Sequence, residues 1–180
     1  MTVSYHQATL APICKALTSL KAVMDIGAKH AADSATTEAD LLACKLADDM
    51  FDLSSQISVL QFLVNSQGVM RVVDRTPGAA PAAIASFADA QAMLDAILND
   101  CQSIDADAFN EAMSQSEPIV CQLPIGEATF PSRLAFMQEW VMPHLYFHVT
   151  TAYNILRNNG APLGKGNFLG SLNMDLKPLG

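Results

Sequence analysis

The sequence predicts an all-α bundle of four helices with a small β-hairpin inserted before the last one. Three observations carry this. Apolar residues recur at helical spacing through most of the chain. Half the residues are hydrophobic but only 7% are aromatic, and Ala, Leu and Met, all good helix formers, are abundant. One short stretch, residues 117–131, alternates as a strand does. A chain of 180 residues is enough for one core. The expectation is a single domain over 1–180 with an irregular tail at 161–180.

Residues 3–29 form the first helical pattern. Ile13, Leu17, Leu20 and Met24 repeat as a core stripe. Pro12 interrupts it and predicts a mild kink or a late start. His6 and His30 flank the pattern and are expected to be exposed. In the loop that follows, Thr36 or Thr37 is placed to cap a helix, with Glu38 and Asp40 in its first turn.

A second helical region runs on to about Val72, with Leu42, Leu46, Leu53, Ile57, Leu60 and Val64 on one stripe. The run ADDMFD in its middle predicts a break, which makes the first part a short separate helix. Asp49 with Asp52 three residues on resembles a capping arrangement. Asp49 and Gln56 project on one flank of the stripe.

Residues 74–86 are rich in Pro, Gly and Ala and form a connection. Ser86 then caps a third helix with Phe87, Ala90, Leu94, Ile97 and Cys101 inward, and Asp105 caps a further short turn through Met113. In residues 117–131, Ile119, Cys121 and Leu123 alternate, as do Ala128 and Phe130. Gly126 falls in the turn and Pro124 keeps the hairpin short or at an edge.

Pro131 and Ser132 lead into the last helix. Leu134, Met137, Val141, Leu145, Ala152 and Ile155 fall on one side, with His144, His148 and Thr151 in the same arc. Met142, Tyr146, Val149 and Tyr153 make the opposite flank apolar too. A helix apolar on two sides buries both, one in the core and the other, on this reading, against a second subunit. Pro143 predicts a kink or a restart. Asn158, Asn159, Gly160 and Pro162 end the helix. In the tail, Phe168 and Leu169 are expected to tuck against the bundle or a partner. Gly164-Lys165-Gly166 lacks the spacing of a phosphate loop.

His144 and His148 are spaced i, i+4, so both rings lie on one face, about a turn apart. Two imidazoles so placed can share a divalent metal, given a further ligand from another helix. Asp49 and Gln56 are the candidates for that ligand. The competing reading is two partly buried histidines that hydrogen-bond to their neighbours.

A net charge of −8 argues against nucleic acid or an anionic membrane as partner. No run of about 20 residues is apolar enough to span a bilayer, and the N-terminus does not read as a signal peptide. Cys14, Cys44, Cys101 and Cys121 show no metal or CxxC spacing. They suit a reduced, cytoplasmic protein, with Cys14 and Cys101 packed in the core.

Four segments, SYHQATLAP, KLADDMFDLSSQIS, LPIGEATFP and HLYFHVTTAYNILRNNGAPLGKGNFLG, resemble in order a bacterial domain family of unknown function. That family is grouped with the DinB-like superfamily of YfiT-like proteins, mycothiol-dependent isomerases and bacillithiol transferases. The resemblance spans nearly the whole chain. It implies an antiparallel four-helix bundle with a long crossover, commonly a homodimer. It also implies a divalent metal, zinc or nickel, held by one histidine of the second helix and a spaced pair in the last. His144 and His148 look like the pair. The second-helix histidine has no match; Asp49, Asp52 and Gln56 stand in that region.

Two functions follow. One is a dimeric small-ligand-binding module whose metal site is degenerate or absent. The other is a metal-dependent enzyme of thiol transferase, isomerase or hydrolase type, with His144, His148 and Asp49 or Gln56 as ligands and Tyr146 or Arg157 contacting substrate.

Overall fold

The computed structural model describes residues 3–65, 68–75, 83–123 and 126–174. Four long helices make the bundle: α1 (Ala11–Asp33), α3 (Leu53–Val64), α5 (Phe87–Gln102) and α8 (Met142–Asn158). α1 touches α5 and α8, and α3 touches the same two, so the four close into a ring.

Side-chain pairs give the helix directions. Lys21 pairs with Asp95, and Gln91 Nε2 donates to Asp25 Oδ1 at 2.7 Å, so α1 and α5 are antiparallel. Gln56 meets His148, and Cys44, ahead of α3, meets Asn159, so α3 and α8 are antiparallel too. His30 meets Asn159, and Gly27 abuts Leu156, so α1 and α8 run the same way. The chain therefore goes up, down, down, up. The second and third long helices share a direction, which requires the long crossover between them. That crossover carries α4 (Val69–Val72). Residues 76–82 of the Pro/Gly/Ala connection lie outside the described residues.

The caps follow from local chemistry. Thr37 and Asp40 form a capping box on α2 (Glu38–Ala43), the short separate helix expected ahead of the break. α3 begins differently from the sequence reading. Asp52 is itself the N-cap and accepts from Ser55 N at 2.8 Å. Asp49 sits in an exposed turn, and Leu46, placed on the core stripe from its spacing, is 40% exposed in the same turn. The break simply extends further than the pattern implied. Leu53, Ile57, Leu60 and Val64 are buried as expected, each contributing roughly 2 kcal/mol. Ser86 caps α5 and Asp105 caps α6 (Ala106–Met113).

β1 (Ile119–Leu123) and β2 (Gly126–Phe130) form the antiparallel hairpin, with Ile119 opposite Phe130 and Leu123 opposite Gly126. Ile119 and Cys121 are buried while Val120 is exposed, the alternation of a one-sided ribbon. Gly126 has φ +133°, open only to glycine. The side chain of Leu123, and Pro124, lie outside the described residues.

Both expected proline interruptions have the same form. A π-helical turn, His6–Leu10, precedes α1 and its Pro12. Another, Phe136–Val141, joins α7 (Arg133–Ala135) to α8 and its Pro143. A proline crowds the carbonyl four residues back and offers it no N–H; wider i→i+5 turns ahead of it accommodate both defects.

The second apolar flank of α8 is covered in part by the chain itself. Val149 is buried, and Tyr153 packs edge-on against Phe168 with centroids 5.8 Å apart. Phe168 belongs to α9 (Lys165–Leu169), a short helix within the tail expected to be irregular. Residues 175–180 lie outside the described residues. Neither His6 nor His30 is fully exposed; His30 Nε2 lies 3.0 Å from the Asn159 carbonyl oxygen and ties α1 to the end of α8. All four cysteines are free thiols. Among the described residues no helix is long and apolar enough to cross a membrane.

Candidate functional site

His148 is 4% exposed and its Nδ1 lies 2.6 Å from Gln56 Oε1. The Gln56 amide is oriented by its other end, since Nε2 donates to the Phe51 carbonyl at 3.0 Å. A carbonyl only accepts, so Nε2 must be the group facing it and Oε1 must face His148. The proton of His148 is therefore on Nδ1, and the lone pair is on Nε2. Burial, helped by the neighbouring His144, pushes the His148 pKa down to about 4, so the ring is neutral near pH 7.

His144 stacks at a tilt on His148, centroids 4.9 Å apart, and meets the Trp140 ring edge-on at 4.7 Å. It is half-buried, and burial lowers its pKa as well. Its Nδ1 and the Trp140 Nε1 are both buried without a hydrogen-bond partner. Phe147 closes the other side of His148 at 5.3 Å. The cluster thus has two neutral imidazoles, one fixed in tautomer and one with an unsatisfied nitrogen.

A second concave feature lies between α1, α8 and α9. It is a groove of about 780 Å³, lined in the main by apolar groups. Pro12, Ala16, Val149, Phe168 and Leu169 form its walls, with Lys15, Ser19 and Tyr146 among them. Tyr146 is half-buried, and burial raises its pKa, so its hydroxyl keeps its proton at neutral pH. Arg157, the other residue proposed from sequence to contact a ligand, is not among the groove's lining residues. It donates to the Leu163 carbonyl and fixes the turn after α8.

A family model described as a domain of unknown function, DUF1993, matches residues 5–169. The chain belongs to the DUF1993 family. This DUF1993 chain is also similar in structure to a DinB family member protein from Shewanella denitrificans, with a TM-score of 0.81 and 24% sequence identity. The match covers 96% of this chain and 95% of the other, and shows a DinB-like fold. No curated protein matches the sequence.

The divalent metal implied by the superfamily can be tested against these residues. Three protein ligands are needed. Among the described residues, no group of three or more His, Cys, Asp or Glu is placed to hold a metal ion. Asp49 is exposed in its turn and does not join the histidines. Gln56 does join them, but its oxygen accepts from His148 Nδ1–H. The donor set of this DUF1993 chain does not fit a three-ligand site.

The structure brings Gln56 and His148 together beside His144 and leaves Asp49 in an exposed turn. The groove beside Tyr146, with Lys15, Ser19 and Phe168, was not anticipated. The signal available was the run of small residues Ala11, Ala16 and Ser19 along one flank of α1, which leaves room beside the helix.

Proposed function

We propose that this chain is a cytoplasmic, dimeric small-molecule-binding module that holds an organic ligand in the groove between α1, α8 and α9. The observation that carries the reading is the groove itself. Its volume falls within the range of small-ligand sites, its walls are apolar, and a few polar groups point into it. The buried Gln56–His148 bond is a structural tie between α3 and α8 on this reading, which is why the histidines need no metal.

The test is a ligand screen by NMR on the labelled protein. Shifts confined to Lys15, Tyr146, Val149 and Phe168 support the groove. Shifts centred on His144 and Trp140 would move the site to the imidazole cluster and sink this reading.

One observation favours the alternative, a divalent-metal-dependent enzyme using His144 and His148: the unsatisfied His144 Nδ1. Metal analysis separates the two. Stoichiometric zinc or nickel in the purified protein that is lost in His148→Ala would favour the enzyme.

A further inference from the structure

The groove does not end at its apolar walls. A second depression, about 360 Å³, adjoins it and shares Lys15 and Ser19 with it. The rest of its lining is small or polar, with Thr18, Gly170 and Ser171. The two together form one cleft with an apolar part and a hydrophilic part, and Lys15 stands where they meet.

Lys15 is exposed and makes no hydrogen bond or ion pair among the described residues. Most described cations are engaged: Lys21 and Lys29 with carboxylates, Lys45 with a carbonyl, and the four arginines with carbonyls, a hydroxyl or Asp74. None of the described residues lining either depression is acidic, although the chain has 18 acids against 10 bases. An ammonium with no carboxylate among the described residues around it is a local centre of positive potential.

Ser19 supplies an independent observation. It is 6% exposed, and its hydroxyl has no hydrogen-bond partner among the described residues. Its Oγ still opens onto the cleft, so it can donate to a ligand there. The tail is also built to reach it. Gly170 has φ +63°, and a Cβ there would lie 2.3 Å from Ser19 Oγ. Only glycine lets the tail close over Ser19 there and line the smaller depression.

Resting on the groove as the ligand site, the geometry points to a narrower ligand class: a small organic monoanion with an apolar body. Its carboxylate-sized head sits on the Lys15 ammonium and the Ser19 hydroxyl. Its body lies between Pro12, Tyr146 and Phe168. The apolar part selects against inorganic anions, and the ammonium selects against neutral apolar molecules.

The test compares 4-phenylbutyrate with 4-phenylbutan-1-ol, which differ only in the head, on wild type and Lys15→Met by titration calorimetry. The carboxylate is expected to bind wild type roughly tenfold more tightly, the scale of one charge-assisted hydrogen bond. In Lys15→Met that margin collapses while the alcohol is unaffected. Equal affinities in wild type, or a margin that survives Lys15→Met, overturn the anion inference and leave the groove standing. If neither probe binds, the groove reading falls and this inference with it. Lys15 makes no contact that the fold needs, so the variant is expected to keep the wild-type unfolding midpoint. Gly170→Ala serves as a second variant: by crowding Ser19 Oγ it should weaken the carboxylate more than the alcohol, and unchanged binding of the carboxylate would overturn the role given to Ser19.

Discussion

Gln56 Oε1 accepts the Nδ1 proton of His148 at 2.6 Å, and this bond joins the second and fourth long helices inside the bundle. The amide is itself held by the Phe51 carbonyl, so the tie runs from that backbone through Gln56 to the imidazole.

Replacing Gln56 by Leu would leave the His148 N–H buried without an acceptor. The expected loss is about 2 kcal/mol, the cost of an unsatisfied buried donor. Urea unfolding at pH 7 measures it, and a loss below about 0.5 kcal/mol would mean the bond is dispensable.

The histidine also sets a pH dependence. The folded-state pKa of His148, about 4, lies below the ordinary value of 6.5. At pH 7 both folded and unfolded rings are neutral. As pH falls below 6.5 the unfolded ring takes up a proton that the folded one refuses. Stability is therefore full above pH 6.5 and is lost towards pH 4, and the lowered His144 pKa acts in the same sense. The change from His148 alone is about 3 kcal/mol. Urea midpoints at pH 7.5, 6, 5 and 4 should fall steadily, and His148→Asn should flatten the part between pH 6 and 4.5. An unchanged slope in that variant would assign the acid sensitivity elsewhere.

Cys14 and Cys101 face each other across α1 and α5. The Cys101 thiol donates a hydrogen bond that lowers the Cys14 pKa, while the same contact and burial raise that of Cys101. Iodoacetamide at pH 7.5 should label Cys14 first, because the thiolate is the reacting form. Cys101→Ala removes the donor and should slow labelling of Cys14. Mass spectrometry of the digested protein reads both rates; faster labelling at Cys101 would contradict the arrangement.

Gly27 marks a close approach of helices. A Cβ there would lie 2.9 Å from Leu156 Cδ1 and from Phe87 Cε1. Gly27→Ala should cost about 1–3 kcal/mol by overpacking, despite alanine's better helix propensity. A stabilised variant in thermal melts would show that both side chains can move aside.

How much of this was legible in the sequence follows from what each feature depends on. The caps at Thr37, Ser86 and Asp105 and the alternation of Ile119 and Cys121 were readable because each rests on neighbours in the chain. The proximity of Gln56 to the histidines was readable, and a hydrogen bond was the competing reading to a ligand, but spacing alone did not choose between them. That distinction depends on the Phe51 carbonyl, which orients the amide. The choice between Asp49 and Asp52 turned on where α3 starts, and helix boundaries are the weakest part of a periodic pattern. Of the second flank of α8, Val149 is buried, and Phe168, fifteen residues after Tyr153, is folded back onto Tyr153 by the turn at Gly160. The cleft could not be read at all, because it arises where a small-residue flank of α1 meets that returning tail.

The wide turn at Phe136–Val141 has a consequence for how the hairpin sits. An i→i+5 turn holds one residue more than a normal one, so everything before it is rotated by about 100° against everything after. Deleting a single residue there would restore an α-helical phase, at the cost of the room the wide turn gives Pro143. The ribbon, with Phe130 and its ring contacts to Phe136 and Trp140, would then swing round to a different side of the molecule. One surplus residue thus works as an angular spacer, fixing the azimuth of the insert independently of the helix it precedes.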